Sequence, residues 1–199
     1  MLTFDEASHT YAWDGQPVPN VTGILSEVVN WSHVPPNLLE TARARGTRVH
    51  AACQYDDEPI GLNESTVDPS DMPFVQAWRR FKEVAKPEWE GIEERVYHPR
   101  LRYAGTRDRS GFLRALNEYA IVDLKTGEWA PQYGLQLSAY LEADSKDITI
   151  DKRACKRYCV LLRNDGTYKL HAPKASHAQD FAVFAGLAQI WHWKKANGC

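Results

Sequence analysis

The stretch Ala120-Ile121-Val122-Asp123-Leu124-Lys125 sets three apolar residues in front of an acid, an apolar residue and a lysine. A short apolar run of this kind reads as a buried strand. Side chains alternate along a strand, so Asp123 and Lys125 share one face. A carboxylate at the end of a buried strand needs a partner or a cation. Two readings are open: a structural Asp123–Lys125 ion pair, or a site where the acid binds a metal and the ammonium stands beside it. A second acid-x-lysine pair, Asp144 and Lys146, lies in the polar stretch Asp144-Ser145-Lys146-Asp147 and reads as solvated loop.

Upstream, Ile92 to His98 and Tyr103 to Asp108 read as strands joined by short turns to Tyr119–Lys125. Asp108 ends its strand and can sit beside Asp123. Two carboxylates and one ammonium suit a hard divalent cation. Such an ion polarises a phosphate oxygen and lowers the pKa of a bound water.

Leu2 to Leu25 reads as a short extended hairpin turning at Asp14-Gly15, and Val21 to Val29 as the start of a helix. Asn37 to about Tyr55 is helical, with Asn37 as N-cap and Leu38, Leu39, Ala42, Val49, Ala52 and Cys53 on one face. Asp71 to Ala85 is a second helix, with Phe74, Trp78, Phe81 and Ala85 at helical spacing. Pro131 starts a third, carrying Gln136 and Tyr140 on one face. Tyr158–Leu162 and Thr167–His171 form a hairpin around Asn164-Asp165-Gly166. Ser176 caps a last helix with Phe181, Phe184, Ala188 and Trp191 inward. This order predicts an α/β fold, a mixed central sheet flanked by helices.

The chain has 199 residues, enough for one domain with a real core. The net charge of −2 excludes a generally cationic nucleic-acid binder, so any DNA surface must be a local basic patch. No charged-then-apolar leader and no membrane-length apolar run is visible, so the expected location is cytoplasmic. The four cysteines, Cys53, Cys155, Cys159 and Cys199, read as free thiols, because their spacing suits neither a disulfide framework nor a cluster.

Taken in order, Gly46-x-x-x-His50, a glutamate strand, Ala104-Gly105-Thr106-Arg107-Asp108, Val122-Asp123-Leu124-Lys125-Thr126-Gly127 and Gln136-x-x-x-Tyr140 resemble the PD-(D/E)xK nuclease superfamily in its RecB-like exonuclease branch. The opening, from His9-x-Tyr11 to Val18-Pro19-Asn20-Val21-Thr22, looks like small phage and mitochondrial-type members of that branch.

The resemblance implies a restriction-endonuclease-like core. It implies one nuclease domain over 1–199, with a lead-in at 1–30, a catalytic core at 37–175 and a C-terminal helix at 176–199. It also implies that His50, Asp108, Asp123 and the Leu124 carbonyl bind one or two Mg2+ or Mn2+ ions. Lys125 would serve the attacking water. Gln136 and Tyr140 would hold the site and the scissile strand, and Glu94 would stand behind the ligands. The expected activity is exonucleolytic hydrolysis of DNA from linear ends, single- or double-stranded, in recombination, repair or phage DNA metabolism. A bacterial or phage-infected cell and a recombination or helicase partner fit that activity. The cysteine group of the iron–sulfur members is lacking, so no cluster is expected, and no helicase motor is visible. Competing readings are a silent DNA-binding or assembly protein on the same fold, and a structure-specific or site-specific endonuclease.

Arg43, Arg45 and Arg48 share the helix of His50, and Arg107 and Arg109 flank Asp108; these are the expected phosphate contacts, with Lys152, Arg153, Lys156 and Arg157 as a further group. Trp129 and Tyr133 are candidates for stacking on bases.

Overall fold

The computed structural model describes all residues except 7, 30, 31, 33 and 146–148. Lys146 of the second acid-x-lysine pair therefore lies outside the described residues. Its partner Asp144 is not in a loop: it pairs with Tyr97 at a sheet edge and with the Lys152 ammonium.

The chain opens with three short antiparallel strands, β1 (Leu2–Asp5), β2 (Thr10–Trp13) and β3 (Gln16–Val18). Asp14 and Gly15 both have positive φ, so they make the tight turn whose twist suits a hairpin. A short helix α1 (Val21–Leu25) follows, capped by Asn20 and ending before Val29. Helix α2 (Pro36–Asp57) begins one residue earlier than expected. Pro35, not Asn37, is its N-cap, and Pro36 takes the first turn, where a missing N–H costs nothing. Helix α3 (Met72–Ala85) buries Phe74, Trp78, Phe81 and Ala85 as the spacing predicts.

The main sheet comprises β4 (Pro87–His98), β5 (Tyr103–Leu113), β6 (Glu118–Lys125), β7 (Asp144–Ser145), β8 (Lys156–Leu162) and β9 (Tyr168–His171), in the order β7-β4-β5-β6-β8-β9. All neighbours are antiparallel except β6 and β8. Between those parallel strands the chain passes through α4 (Gln132–Glu142), as a parallel pair requires. The last helix, α5 (His177–Asn197), starts at a full capping box formed by Ser176 and Gln179.

Alternation along β6 divides the molecule. Ala120, Val122 and Leu124 face a core built from Val49, Cys53, Phe74, Trp78 and Phe81 of α2 and α3. Ile121 faces a second core with Ile24, Leu137, Tyr140 and Phe184 of α1, α4 and α5. The fold is thus mixed α/β, a mixed sheet with helices on both faces, and the small sheet packs by Tyr11 and Val18 on Tyr97 and Ala104. Among the described residues no helix is long and apolar enough to cross a membrane.

The inner face expected for α2 is only half right. Val49, Ala52 and Cys53 are buried, but Leu38 is 57 % exposed and Ala42 lies at the surface. Periodicity reports which face is apolar, not how much of the helix is covered, and the first turns of α2 are largely exposed.

Candidate metal centre

Strand β5 runs through Asp108, β6 ends on Asp123 and Lys125, and α2 brings His50 to the same end of the sheet. The Asp108 carboxylate accepts the Leu124 backbone N–H at 2.7 Å, which fixes it against β6. His50 donates from Nε2 to the Leu124 carbonyl at 2.9 Å. A carbonyl only accepts, so Nε2 carries a proton, and Nδ1 is the ring atom turned toward Asp108. That Nδ1 lies 3.5 Å from Oδ2 of Asp108. Glu93 completes the group: ligand atoms of His50, Glu93 and Asp108 all lie within 4.8 Å of one another. These three residues could together hold a metal ion.

Asp123 is almost fully buried beside this group. Its Oδ2 is 2.5 Å from the Lys125 ammonium, yet neither oxygen has a partner in hydrogen-bond geometry. The close contact is therefore an ion pair whose carboxylate still has acceptor capacity unused. Burial, opposed by Lys125 and reinforced by Asp108, pushes the Asp123 carboxyl up to about 6. Burial and Asp108 together push Glu93 up to about 7. Burial alone would lower the Lys125 ammonium, but Asp123 and Asp108 more than offset it, so Lys125 stays charged. The donor set, imidazole and carboxylates with orphaned oxygens, fits Mg2+ or Mn2+.

A cleft of about 580 Å³ opens over these groups, lined also by Gly46, Thr47, Gln136 and Tyr140. Gln136 donates to the Tyr140 hydroxyl at 3.2 Å. Gly105 makes room for that ring, since a Cβ there would come 2.6 Å from Tyr140 Cε1.

The structure thus brings together His50, Asp108, Asp123, Lys125, Gln136 and Tyr140. It places the Leu124 carbonyl on the His50 ring. Glu94, expected behind the ligands, is turned away to Arg107 and Ser110, at 2.7 and 2.6 Å. Glu93, which the sequence reading missed, stands with His50 and Asp108 instead. A signal for it existed: counting back equally from the turn at 99–102 sets residue 93 against residue 108. Glu93 also sits at φ 50°, a left-handed conformation uncommon outside glycine and concentrated at functional sites.

The arginine expectations need correction. Arg107 and Arg109 are buried and ion-paired, to Glu94 and to Asp57 and Glu93, so neither presents a face to a phosphate. Arg157 is likewise buried on Asp180. Their neighbours are acids, and burying a guanidinium requires that pairing. Arg48 is half exposed but held by Asp71 at 2.6 Å. Arg45 lies over the Phe74 ring and donates to the Thr126 carbonyl. Arg43 is exposed. Lys152 is tied to Glu142 and Asp144, and Lys156 reaches Glu118 at 4.0 Å. Trp129 stacks on His171, and Tyr133 lies under the Lys125 ammonium, so both rings have internal partners.

No family model matches the chain, and a search of curated proteins returns no match.

Two predictions arise from this geometry. With folded-state pKa values above those of the unfolded chain, Glu93 and Asp123 bind more protons folded than unfolded between about pH 4 and 7. The stability they contribute is present at low pH and lost as pH rises through the folded values. Metal-free protein should therefore lose melting temperature across that window, and Mn2+ should restore it more at pH 7.5 than at pH 5. A Mn2+ shift independent of pH would count against these acids as ligands.

Glu93→Gln should weaken Mn2+ binding by calorimetry at least about tenfold while leaving metal-free stability equal or higher. Glu94→Gln should do the reverse, costing about 3 kcal/mol or more because it strands the buried Arg107 charge. If Glu94→Gln removed metal binding at unchanged stability, the roles of the two glutamates would be exchanged.

Proposed function

We propose that this chain is a divalent-metal-dependent deoxyribonuclease of the PD-(D/E)xK kind, hydrolysing phosphodiester bonds from DNA ends. What carries the assignment is the convergence of His50 Nδ1, Glu93 and Asp108, three groups able to ligate one cation, beside the buried Asp123–Lys125 pair. The mixed sheet between helical layers, with the two aspartates on adjacent central strands, supports a restriction-endonuclease-like core.

His50, Glu93, Asp108 and Asp123 would hold one or two Mg2+ or Mn2+ ions. A bound ion there supplies Lewis acidity toward a phosphate oxygen and a more acidic water. Lys125 stays protonated, so its role is that of a charged donor toward oxygens that gain charge as the phosphodiester is attacked. Asp123 holds that ammonium in place. Tyr140, fixed by Gln136, walls the cleft on the α4 side. A small nuclease of this type suits end-trimming in recombination, repair or phage DNA processing in the cytoplasm.

The test is a gel assay of end-labelled linear DNA, single- and double-stranded, beside a closed circle, with Mg2+, Mn2+ or EDTA. Metal-dependent loss of the linear strands with intact circles is expected. Cutting of closed circles would move the chain to the endonucleases. An absence of cutting with every metal would leave a DNA-binding protein on a nuclease fold.

A further inference from the structure

The wall of the cleft opposite α2 is made by the small N-terminal sheet. Phe4 and His9, from β1 and the turn that follows it, line the cleft together with Tyr11, Asp108 and Lys125. The Tyr11 hydroxyl is bonded to the Thr106 hydroxyl at 2.7 Å, which fastens the sheet to β5 two residues from Asp108. The three rings form a cluster: Phe4 tilts against Tyr11 at 4.7 Å, and His9 stands edge-on to Phe4 at 5.1 Å. The Arg95 guanidinium lies over the Phe4 ring at 4.9 Å. His9 is exposed, and its backbone is held at φ 52°.

The charge of the cleft decides what such a wall can bind. Its lining carries four carboxylates, Glu6, Glu93, Asp108 and Asp123, against one ammonium, Lys125. Of the arginines expected to grip a backbone, Arg107 and Arg109 are buried in ion pairs and Arg45 and Arg48 are tied to other groups, which leaves Arg43, exposed on α2 but outside the cleft lining. Phosphate neutralisation, the usual source of affinity for double-stranded DNA, is therefore scarce here. Stacking on aromatic rings does not depend on phosphate contacts and tolerates any base. It does require an unpaired base.

We propose that the exposed His9 ring, braced edge-on by Phe4, is a stacking platform for the base of an unpaired DNA end, which makes single strands and frayed ends the preferred substrate. This deepens the nuclease reading above and rests on it. The platform holds the base while the adjoining phosphate lies toward Asp108 and Lys125.

The experiment is fluorescence anisotropy with Ca2+ in place of Mg2+, the strand being recovered intact on a gel. The probes are a labelled thymidine oligomer, an abasic oligomer of the same length and charge, and a hairpin-closed duplex. Wild type should bind the thymidine strand about tenfold or more tighter than the abasic strand, with the duplex weaker still. His9→Asn, which tolerates the left-handed backbone, and Phe4→Leu, which keeps apolar bulk on Tyr11, should each reduce thymidine binding toward the abasic value. Abasic binding should not change, and His9→Tyr should retain discrimination. Equal affinity for base-bearing and abasic strands, or tighter binding of the duplex, overturns the platform. If the gel assay still shows metal-dependent cleavage, only the platform falls. If no DNA is bound or cut, the nuclease reading falls with it.

Discussion

Lys125→Ala is expected to reduce metal-dependent cleavage by a factor of about 10² to 10³ or more, at unchanged fold and with Mn2+ still bound. The ammonium lies 2.5 Å from Asp123 and 5.0 Å from the centre of the Tyr133 ring, in a cleft whose other charged groups are acids. Among the described residues lining the cleft it is the one Lys or Arg side chain, and so the one permanent positive charge there to meet an oxygen that becomes more negative in the transition state. The same substitution leaves Asp123 buried without its counter-ion, so the metal-free variant should melt lower than wild type. Mn2+ should recover much of that loss, because a cation in the site supplies the missing charge. A purely structural ion pair predicts a different pattern: stability falls, but the rate with metal saturating stays at the wild-type value. Initial rates on end-labelled DNA, measured beside Mn2+ calorimetry and melting curves, separate the two. Wild-type turnover in this variant would remove Lys125 from the chemistry.

The strand run at Ala120–Val122 and the helical spacing of Phe74, Trp78 and Phe81 were legible because burial leaves a periodic mark on the sequence. That Asp108 and Asp123 lie on neighbouring antiparallel strands was legible, but β5 runs on through Asp108 to Leu113 where the sequence reading ended it at Asp108. Glu93 was harder. Strict alternation puts neighbouring residues on opposite faces without choosing between Glu93 and Glu94; only the count back from the turn at 99–102 sets Glu93 against Asp108. The irregular register after Trp89 and the positive φ of Glu93 are local departures from a regular strand. They depend on contacts with β5 and α2 that are distant in the sequence.

The arginines illustrate another limit. A basic residue beside a candidate metal-binding acid looks the same in sequence whether it reaches outward to a phosphate or inward to a carboxylate. Arg107 and Arg109 share strand β5 with Asp108, and the acids that hold them inside come from β4 and from the end of α2. Asp57 lies 52 positions away from Arg109 along the chain. Only the fold brings them together, and it converts two expected DNA contacts into struts beneath the site.

Arg109 should therefore be among the most costly surface-to-core charges to remove: Arg109→Ala is expected to destabilise the protein by about 3 to 5 kcal/mol. Its side chain is fully buried. Its Nε donates to Asp57 at 2.7 Å, and Nη1 donates to Glu93 at 3.0 Å and to the Asp108 carbonyl at 2.6 Å. Asp57 also accepts from the Trp78 indole and from Lys82, so the network joins α2, α3 and β5. Truncation leaves Asp57 with one cation fewer and sets Glu93 against Asp108 with none between them. Against a typical total stability of about 5 to 15 kcal/mol, that is a large share. A denaturant melt should show a lower midpoint at an unchanged slope. Arg109→Lys should lose less, because a compact ammonium can serve Asp57 or Glu93 but lacks the fork that reaches both. Its Mn2+ affinity should still fall, since Glu93 is then less firmly held. If Arg109→Ala melts within about 0.5 kcal/mol of wild type, the network carries no appreciable stability, and Glu93 owes its place beside His50 to the backbone of β4 alone.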